Sequence, residues 1–129
     1  MKLICVDFDG VIHDNMNYRG SRVINGKPIP GTIEALNILS CDYEVVIHSA
    51  RCQDVEAMKS IEEWLHKYNM NYELVRFKPN AYIFIDDRGI NFSGNWEKTL
   101  DDVKIFTQWQ EKTKNRVKSI RKGYVQLKK

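Results

Sequence analysis

Short apolar runs alternate with amphipathic segments over the first two thirds of this chain. The apolar runs read as strands buried on both faces of a parallel sheet, and they cover residues 3–6, 43–50, 72–75 and 81–85. Between them, apolar residues recur at three- and four-residue spacing, which predicts helices at about 32–39 and 53–68. Strands that alternate with helices form βαβ units, so the pattern predicts an α/β fold, a three-layer Rossmann-like parallel sheet.

Two further elements follow from local signals. Asn25-Gly26 lies between two apolar pairs, and this dipeptide favours a two-residue turn, so we expect a small β-hairpin within 15–30. The stretch Thr99–Asp102 resembles a capping box and predicts the start of a C-terminal helix.

Composition places the chain among ordinary globular proteins. It has 129 residues, of which 43% are hydrophobic and 29% charged, which fits one domain. Three cysteines without metal-type spacing indicate free thiols in a reducing compartment. No apolar run approaches the roughly 18 residues of a membrane span, so we expect a cytoplasmic protein without a membrane partner.

Charged residues are distributed unevenly along the chain. The net charge is +3, yet all 17 acidic residues precede residue 112, and residues 112–129 carry eight Lys or Arg. We therefore expect a single catalytic domain at 1–111 and a basic C-terminal extension at 112–129. The extension could follow nucleic-acid phosphates, or it could pack through apolar residues at helical spacing while its charges stay solvated.

Polar residues lie at the ends of the predicted strands. Ligands bind outside the carboxyl ends of parallel strands, so residues at these ends are candidates for a site. They are Asp7 and Asp9 after the first strand, Ser49 after the second, Asp86 and Asp87 after the fourth, and Lys78 in the loop before the fourth. Clustered carboxylates repel one another, and a bound Mg²⁺ would remove the conflict, with Lys78 and Ser49 facing a phosphate.

The spacing of the first two carboxylates suggests that each has a different role in the reaction. One carboxylate can attack phosphorus and form an aspartyl-phosphate. A second carboxylate two residues on can protonate the leaving oxygen and later deprotonate the attacking water.

Four segments of the sequence resemble motifs of the haloacid dehalogenase superfamily. "DFDGVIHD" is similar to its first motif, "VVIHSAR" to its second, the lysine of "RFKPNAYIFIDDR" to its third and the Asp-Asp pair of that segment to its fourth. The resemblance covers about residues 3–90 and implies a Rossmann-like sheet with a hairpin flap after the first motif.

The resemblance also implies a role for each matching residue. Asp7 would be the nucleophile, and Asp9 the general acid and base. Ser49 would bind the phosphoryl group and Lys78 would neutralise it, with Arg51 as the alternative cation. The implied Mg²⁺ ligands are Asp7, the backbone carbonyl of Asp9, Asp86 and, in support, Asp87.

The spacing between motifs leaves little room for a cap domain. Only 39 residues separate Asp9 from Ser49, and 28 separate Ser49 from Lys78. The resemblance then implies a capless, open site. Such a site suits a phosphate on a macromolecule, such as a nucleic-acid end or a protein, or a small phosphorylated molecule enclosed by an oligomer.

Several functions are compatible with this pattern of residues. The favoured one is a Mg²⁺-dependent phosphatase that hydrolyses a phosphomonoester, and a polynucleotide-end phosphatase is a variant of it. The rival is a catalytically silent binding module that uses its basic tail on nucleic acid. A two-component receiver domain is another candidate, but it has its acidic pair after the first strand. Here the adjacent acidic pair, Asp86-Asp87, follows the last predicted strand. A purely structural use of the carboxylates, as caps and turn residues, is the remaining alternative.

Overall fold

The computed structural model describes residues 1–111, and the chain divides into two compact units between Asp86 and Asp87. The tail at 112–129 lies outside the described residues, so its predicted roles stay predictions. No helix in the described part is long and apolar enough to cross a membrane.

The first unit is built on a four-stranded parallel sheet. Its strands are β1 (Leu3–Asp7), β2 (Glu44–His48), β3 (Glu73–Val75) and β4 (Ile83–Ile85). They lie in the order β3-β2-β1-β4, and every neighbouring pair is parallel. The predicted α/β Rossmann-like sheet is confirmed, and each predicted strand matches an observed one to within about two residues at each end.

Two helices cover this sheet. They are α1 (Thr32–Leu39) and α2 (Val55–Lys67), and α2 follows a short 3₁₀ helix at Ala50–Gln53. Leu36 of α1 and Ile61 of α2 share one core cluster with alternate residues of the central strands, among them Ile4 and Ile47. Right-handed crossovers that run the same way across the sheet place both helices on one face. The β1–β2 and β2–β3 connections contain no further domain, as the capless prediction requires.

The predicted β-hairpin is wrong. Residues 14–27, here called the flap loop, contain no strand, and the chain makes only an isolated antiparallel bridge between His13 and Pro28. Neither Asn25 nor Gly26 has the positive φ that a two-residue hairpin turn needs. The ends of the loop are nevertheless joined, because the Asp14 N–H donates to the carbonyl of Lys27 over 2.9 Å.

The described part of the second unit contains α3 (Trp96–Ile105). This helix begins three residues before the predicted capping box, because the Asn95 side chain caps it by accepting from the Lys98 N–H at 3.1 Å. Thr99 donates its hydroxyl to the Asn95 carbonyl at 3.0 Å instead of acting as the cap.

Candidate active site

The carboxyl edge of the sheet brings two of the predicted carboxylates side by side. Val6 of β1 pairs in register with Ile85 of β4; Asp7 is the last residue of β1, and Asp86 directly follows β4. Asp7 also aligns with His48 of β2, which places Ser49 one position beyond it. The topology therefore gathers Asp7, Asp86 and Ser49 at one edge, as the strand pattern predicts.

Lys78 is close enough to this edge of the sheet for its charge to shift the pKa values of Cys5 and His48. Burial raises the pKa of the Cys5 thiol, the Lys78 charge lowers it, and the charges of Asp7 and Asp86 raise it again. Burial and then the Lys78 charge lower the pKa of His48. Lys78 is exposed, and its ammonium lies 4.5 Å from the centre of the Phe84 ring.

A sharp turn carries the chain from β1 to Asp9 and back. The carbonyl of Phe8 accepts from the N–H groups of Ile12 and His13, both at 2.9 Å. Gly10 adopts a φ of 79°, a left-handed conformation that costs other residues energy. This turn brings His13 against Asp9, four residues before it.

Asp9 accepts hydrogen bonds from two side chains. Arg51 donates from Nε to Oδ2 at 2.8 Å and from Nη2 to Oδ1 at 3.0 Å. His13 Nδ1 lies 2.9 Å from the same Oδ1. Burial raises the pKa of Asp9, but the hydrogen bonds from His13 and Arg51 and the Arg51 charge outweigh it, so this pKa lies below its ordinary value. Asp9 is therefore held in its ionised form.

Arg51, the alternative phosphate-binding cation, forms its hydrogen bonds within the protein. Besides Asp9, its guanidinium donates to the side chain of Asn15 at 3.1 Å, and its Nη1 lies within 3.1–3.2 Å of three flap-loop carbonyls, those of Gly20, Ser21 and Val23. Every N–H group of Arg51 has an acceptor, and the residue is 8% exposed. Arg51 thus ties the flap loop to Asp9.

Ser49 lies where a phosphate-binding hydroxyl is expected, at the end of β2. It is buried, and its Oγ accepts a hydrogen bond from the Arg51 N–H at 3.1 Å, which caps the short 3₁₀ helix. A hydroxyl that accepts one bond still has a proton to donate to an anion.

Asp87 begins the second unit and pairs with Arg88 at 3.8 Å. The described residues hold no group of three or more Cys, His, Asp or Glu side chains placed to bind a metal. The Mg²⁺ ligands expected from the sequence, which include a backbone carbonyl as well as carboxylates, therefore stay predictions.

Sequence reasoning missed the interior of this site. Sequence patterns do not predict the contact between His13 and Gly26, although His13 follows Asp9 by one turn and a histidine so close to a candidate carboxylate is a usable signal. The sequence offers Arg51 as the alternative to Lys78 for binding phosphate, whereas in the structure its guanidinium is hydrogen-bonded to Asp9 and the flap loop.

No family model matches this chain, and no curated protein does. Among solved structures, the chain is similar in fold to D,D-heptose 1,7-bisphosphate phosphatase from B. bronchiseptica complexed with magnesium and phosphate. The TM-score is 0.44 and the identity 18%, and the match covers 81% of this chain and 65% of that one. The chain thus spans somewhat less than two thirds of the length of that phosphatase.

Proposed function

We propose that this chain is a phosphatase that hydrolyses a phosphomonoester through an aspartyl-phosphate on Asp7, with Mg²⁺ as its cofactor. The observation that carries the proposal is the position of Asp7 and Asp86 directly after the paired residues Val6 and Ile85 of two adjacent strands, with Ser49 after the neighbouring strand. Lys78 is close enough to this edge for its charge to act on the Cys5 thiol, as the charges of Asp7 and Asp86 also do. This combination of carboxylates, a hydroxyl and an ammonium suits a phosphate dianion and its counter-cation.

The residues at this edge fit Mg²⁺. The ion typically takes one or two carboxylates and keeps several waters beside a phosphate oxygen, so a full cage of protein side chains is not needed. Asp7, Asp86 and the carbonyl of Asp9 would hold it. When bound, the ion would neutralise charge on the phosphoryl oxygens.

The first half of the reaction joins phosphorus to Asp7. A carboxylate oxygen of Asp7 forms the new O–P bond, the bond from phosphorus to the ester oxygen breaks, and the alcohol departs after gaining a proton. Ser49 would donate a hydrogen bond to the phosphoryl group, and Lys78 would lie against its charge. We assign this contact to Lys78 because Arg51 has its donors engaged by Asp9 and the flap loop.

The second half returns Asp7 to its starting state. Water attacks phosphorus, the bond from phosphorus to Asp7 breaks, and inorganic phosphate leaves. Asp9, which the structure holds ionised, is suited to accept the proton that this water loses. To protonate the leaving alcohol in the first half, Asp9 would have to take up a proton beforehand.

The test is Mg²⁺-dependent release of phosphate from an aryl phosphate. We expect wild-type protein to release phosphate and the Asp7→Asn variant to fall to the level of buffer alone. Asp9→Asn should lose about 100- to 10,000-fold in kcat, the usual contribution of a general acid or base. Asp42→Asn, which alters an exposed carboxylate in the turn after α1, is the matched control and should keep the wild-type rate.

Two results would contradict the proposal. Phosphate release that survives Asp7→Asn would reject Asp7 as the nucleophile. A wild-type protein without activity on nucleotides, sugar phosphates, phosphopeptides and phosphorylated oligonucleotides would favour a silent binding module instead.

A further inference from the structure

The environment of His13 settles which of its ring nitrogens carries the proton. The backbone N–H of Gly26 lies 2.9 Å from His13 Nε2, and a backbone N–H can only donate. Nε2 must therefore be the unprotonated acceptor. The proton of the neutral ring is then on Nδ1, which is the nitrogen 2.9 Å from Asp9 Oδ1.

The close approach of Gly26 is specific to glycine. A Cβ atom at this position would lie 1.9 Å from the Asp14 carbonyl oxygen and 2.7 Å from His13 Nε2. The Gly26 carbonyl in turn accepts from Trp64 Nε1 at 3.0 Å, so both polar groups of this peptide unit are fixed.

The His13 ring is fixed by packing as well. It is fully buried, stacks on the Phe8 ring at 5.0 Å with an angle of 6° between planes, and meets the Trp64 ring edge-on at 5.3 Å. A ring held on two sides and hydrogen-bonded at both nitrogens has little freedom to turn.

We propose that His13 is a positioning residue for Asp9: its Nδ1–H, fixed by the Gly26 N–H at the other nitrogen, sets the orientation of the Asp9 carboxylate. His13 donates to Oδ1, which also accepts from Arg51 Nη2, whereas within residues 1–111 Oδ2 accepts only from Arg51 Nε. Oδ2 therefore keeps an acceptor site and is the oxygen through which Asp9 exchanges a proton. This assignment rests on the proposed phosphatase function, in which Asp9 moves protons.

Two substitutions separate the two bonds of His13. Asparagine places its amide nitrogen the same number of bonds from Cα as Nδ1, so His13→Asn retains a donor for Asp9 and loses the acceptor for Gly26. Glutamine places its amide oxygen the same number of bonds from Cα as Nε2, so His13→Gln retains the acceptor for Gly26 and loses the donor for Asp9. His66→Gln, which changes an exposed histidine on α2, is the control.

The positioning role predicts opposite orders for activity and stability. His13→Asn should retain most of the wild-type kcat, whereas His13→Gln should lose about 10- to 100-fold in kcat with KM little changed, as expected when a reacting group is misplaced. His13→Gln should nevertheless have the higher melting temperature of the two, because it fills more of the cavity and pairs the Gly26 N–H. If activity instead follows stability, with His13→Gln the more active, His13 is a structural residue and the proposal is wrong.

A measurement without substrate separates this proposal from the proposed function. Long-range ¹H–¹⁵N correlation spectra of the wild-type protein at neutral pH should show His13 protonated at Nδ1 alone, with only His48 and His66 as other imidazole signals. Protonation at Nε2 would overturn the proposal whatever the enzyme does. A wild type that releases no phosphate would reject the function, and the spectrum would still decide how Asp9 is held.

Discussion

Arg51 holds both carboxylate oxygens of Asp9, with Nε 2.8 Å from Oδ2 and Nη2 3.0 Å from Oδ1. The two side chains are 6% and 12% exposed, so the pair is shielded from water. Fork-to-fork geometry of this kind gives strong, directional hydrogen bonds. The pair joins the turn after β1 to the segment after β2, and through Arg51 it also fixes the flap loop.

Removing Arg51 should therefore be costly. Arg51→Gln leaves a buried carboxylate without its counter-charge and three flap-loop carbonyls without their donor, and breaking such a pair typically costs about 3–5 kcal/mol. We expect the urea midpoint of unfolding to fall accordingly. The chain offers a matched control in Arg22, which contacts Asp54 through Nε at 2.7 Å and Nη2 at 3.3 Å but is 64% exposed.

Arg22→Gln should shift the urea midpoint far less than Arg51→Gln, because water screens the exposed pair. Equal shifts in the two variants would show that the burial of the Arg51 pair contributes nothing to stability.

Gly26→Ala tests the close approach of the flap loop to His13. The added Cβ would meet the Asp14 carbonyl at 1.9 Å, a distance that forces the backbone to move. Shifts of this kind in a packed region cost about 1–3 kcal/mol, and we expect a lower melting temperature. Gly20→Ala is the comparison, since nothing lies within 4 Å of a Cβ there and the variant bears only the strain of its φ of 105°. A larger loss at Gly20 than at Gly26 would contradict the steric explanation.

The sequence predicted the sheet and its carboxyl edge well, for a physical reason. Buried parallel strands are continuous apolar runs, and the polar residues that end them must meet at one edge whatever the loops do. The positions of Asp7, Ser49 and Asp86 at this edge could therefore be predicted from the pattern alone.

The contacts of the flap loop could not be found in this way. Arg51 and Asp9 are 42 residues apart, and no local pattern indicates that a guanidinium will be used inside the protein. The sequence predicts a hairpin turn at Gly26 because Asn-Gly usually supplies positive φ. The structure requires a glycine there for a different reason, the absence of a side chain beside His13, and that requirement exists only once the loop has folded.

The three cysteines should differ sharply in reactivity. Cys5 and Cys52 are buried, and burial raises the pKa of both thiols, so neither supplies much thiolate at neutral pH. Cys41 is exposed in the turn after α1. We expect an aromatic disulfide reagent to modify one thiol per chain rapidly in the native protein and all three after denaturation. Cys41→Ser should abolish the rapid phase, and a rapid phase that remains would show that Cys5 or Cys52 is accessible.

His48 should make stability depend on pH near and below about 6.5, the ordinary pKa of histidine. Burial, and then the charge of Lys78, lower the pKa of this imidazole, while a hydrogen bond with the Arg76 backbone partly opposes them. Unfolded histidine titrates near 6.5, so on acidification the unfolded chain takes up a proton before the folded protein does. The stability contributed by neutral His48 is therefore present above about pH 6.5 and is lost as the pH falls toward the lower folded pKa.

The corresponding measurement is the melting temperature of the wild type and of His48→Gln across this pH range. The wild type should lose melting temperature as the pH falls, and His48→Gln should lose less, because it has no imidazole to protonate. His66→Gln, on the exposed face of α2, should keep the wild-type slope. An unchanged slope in His48→Gln would mean that the charged and neutral forms of His48 fit the folded protein equally well, and a steeper one would reverse the sign of its pKa shift.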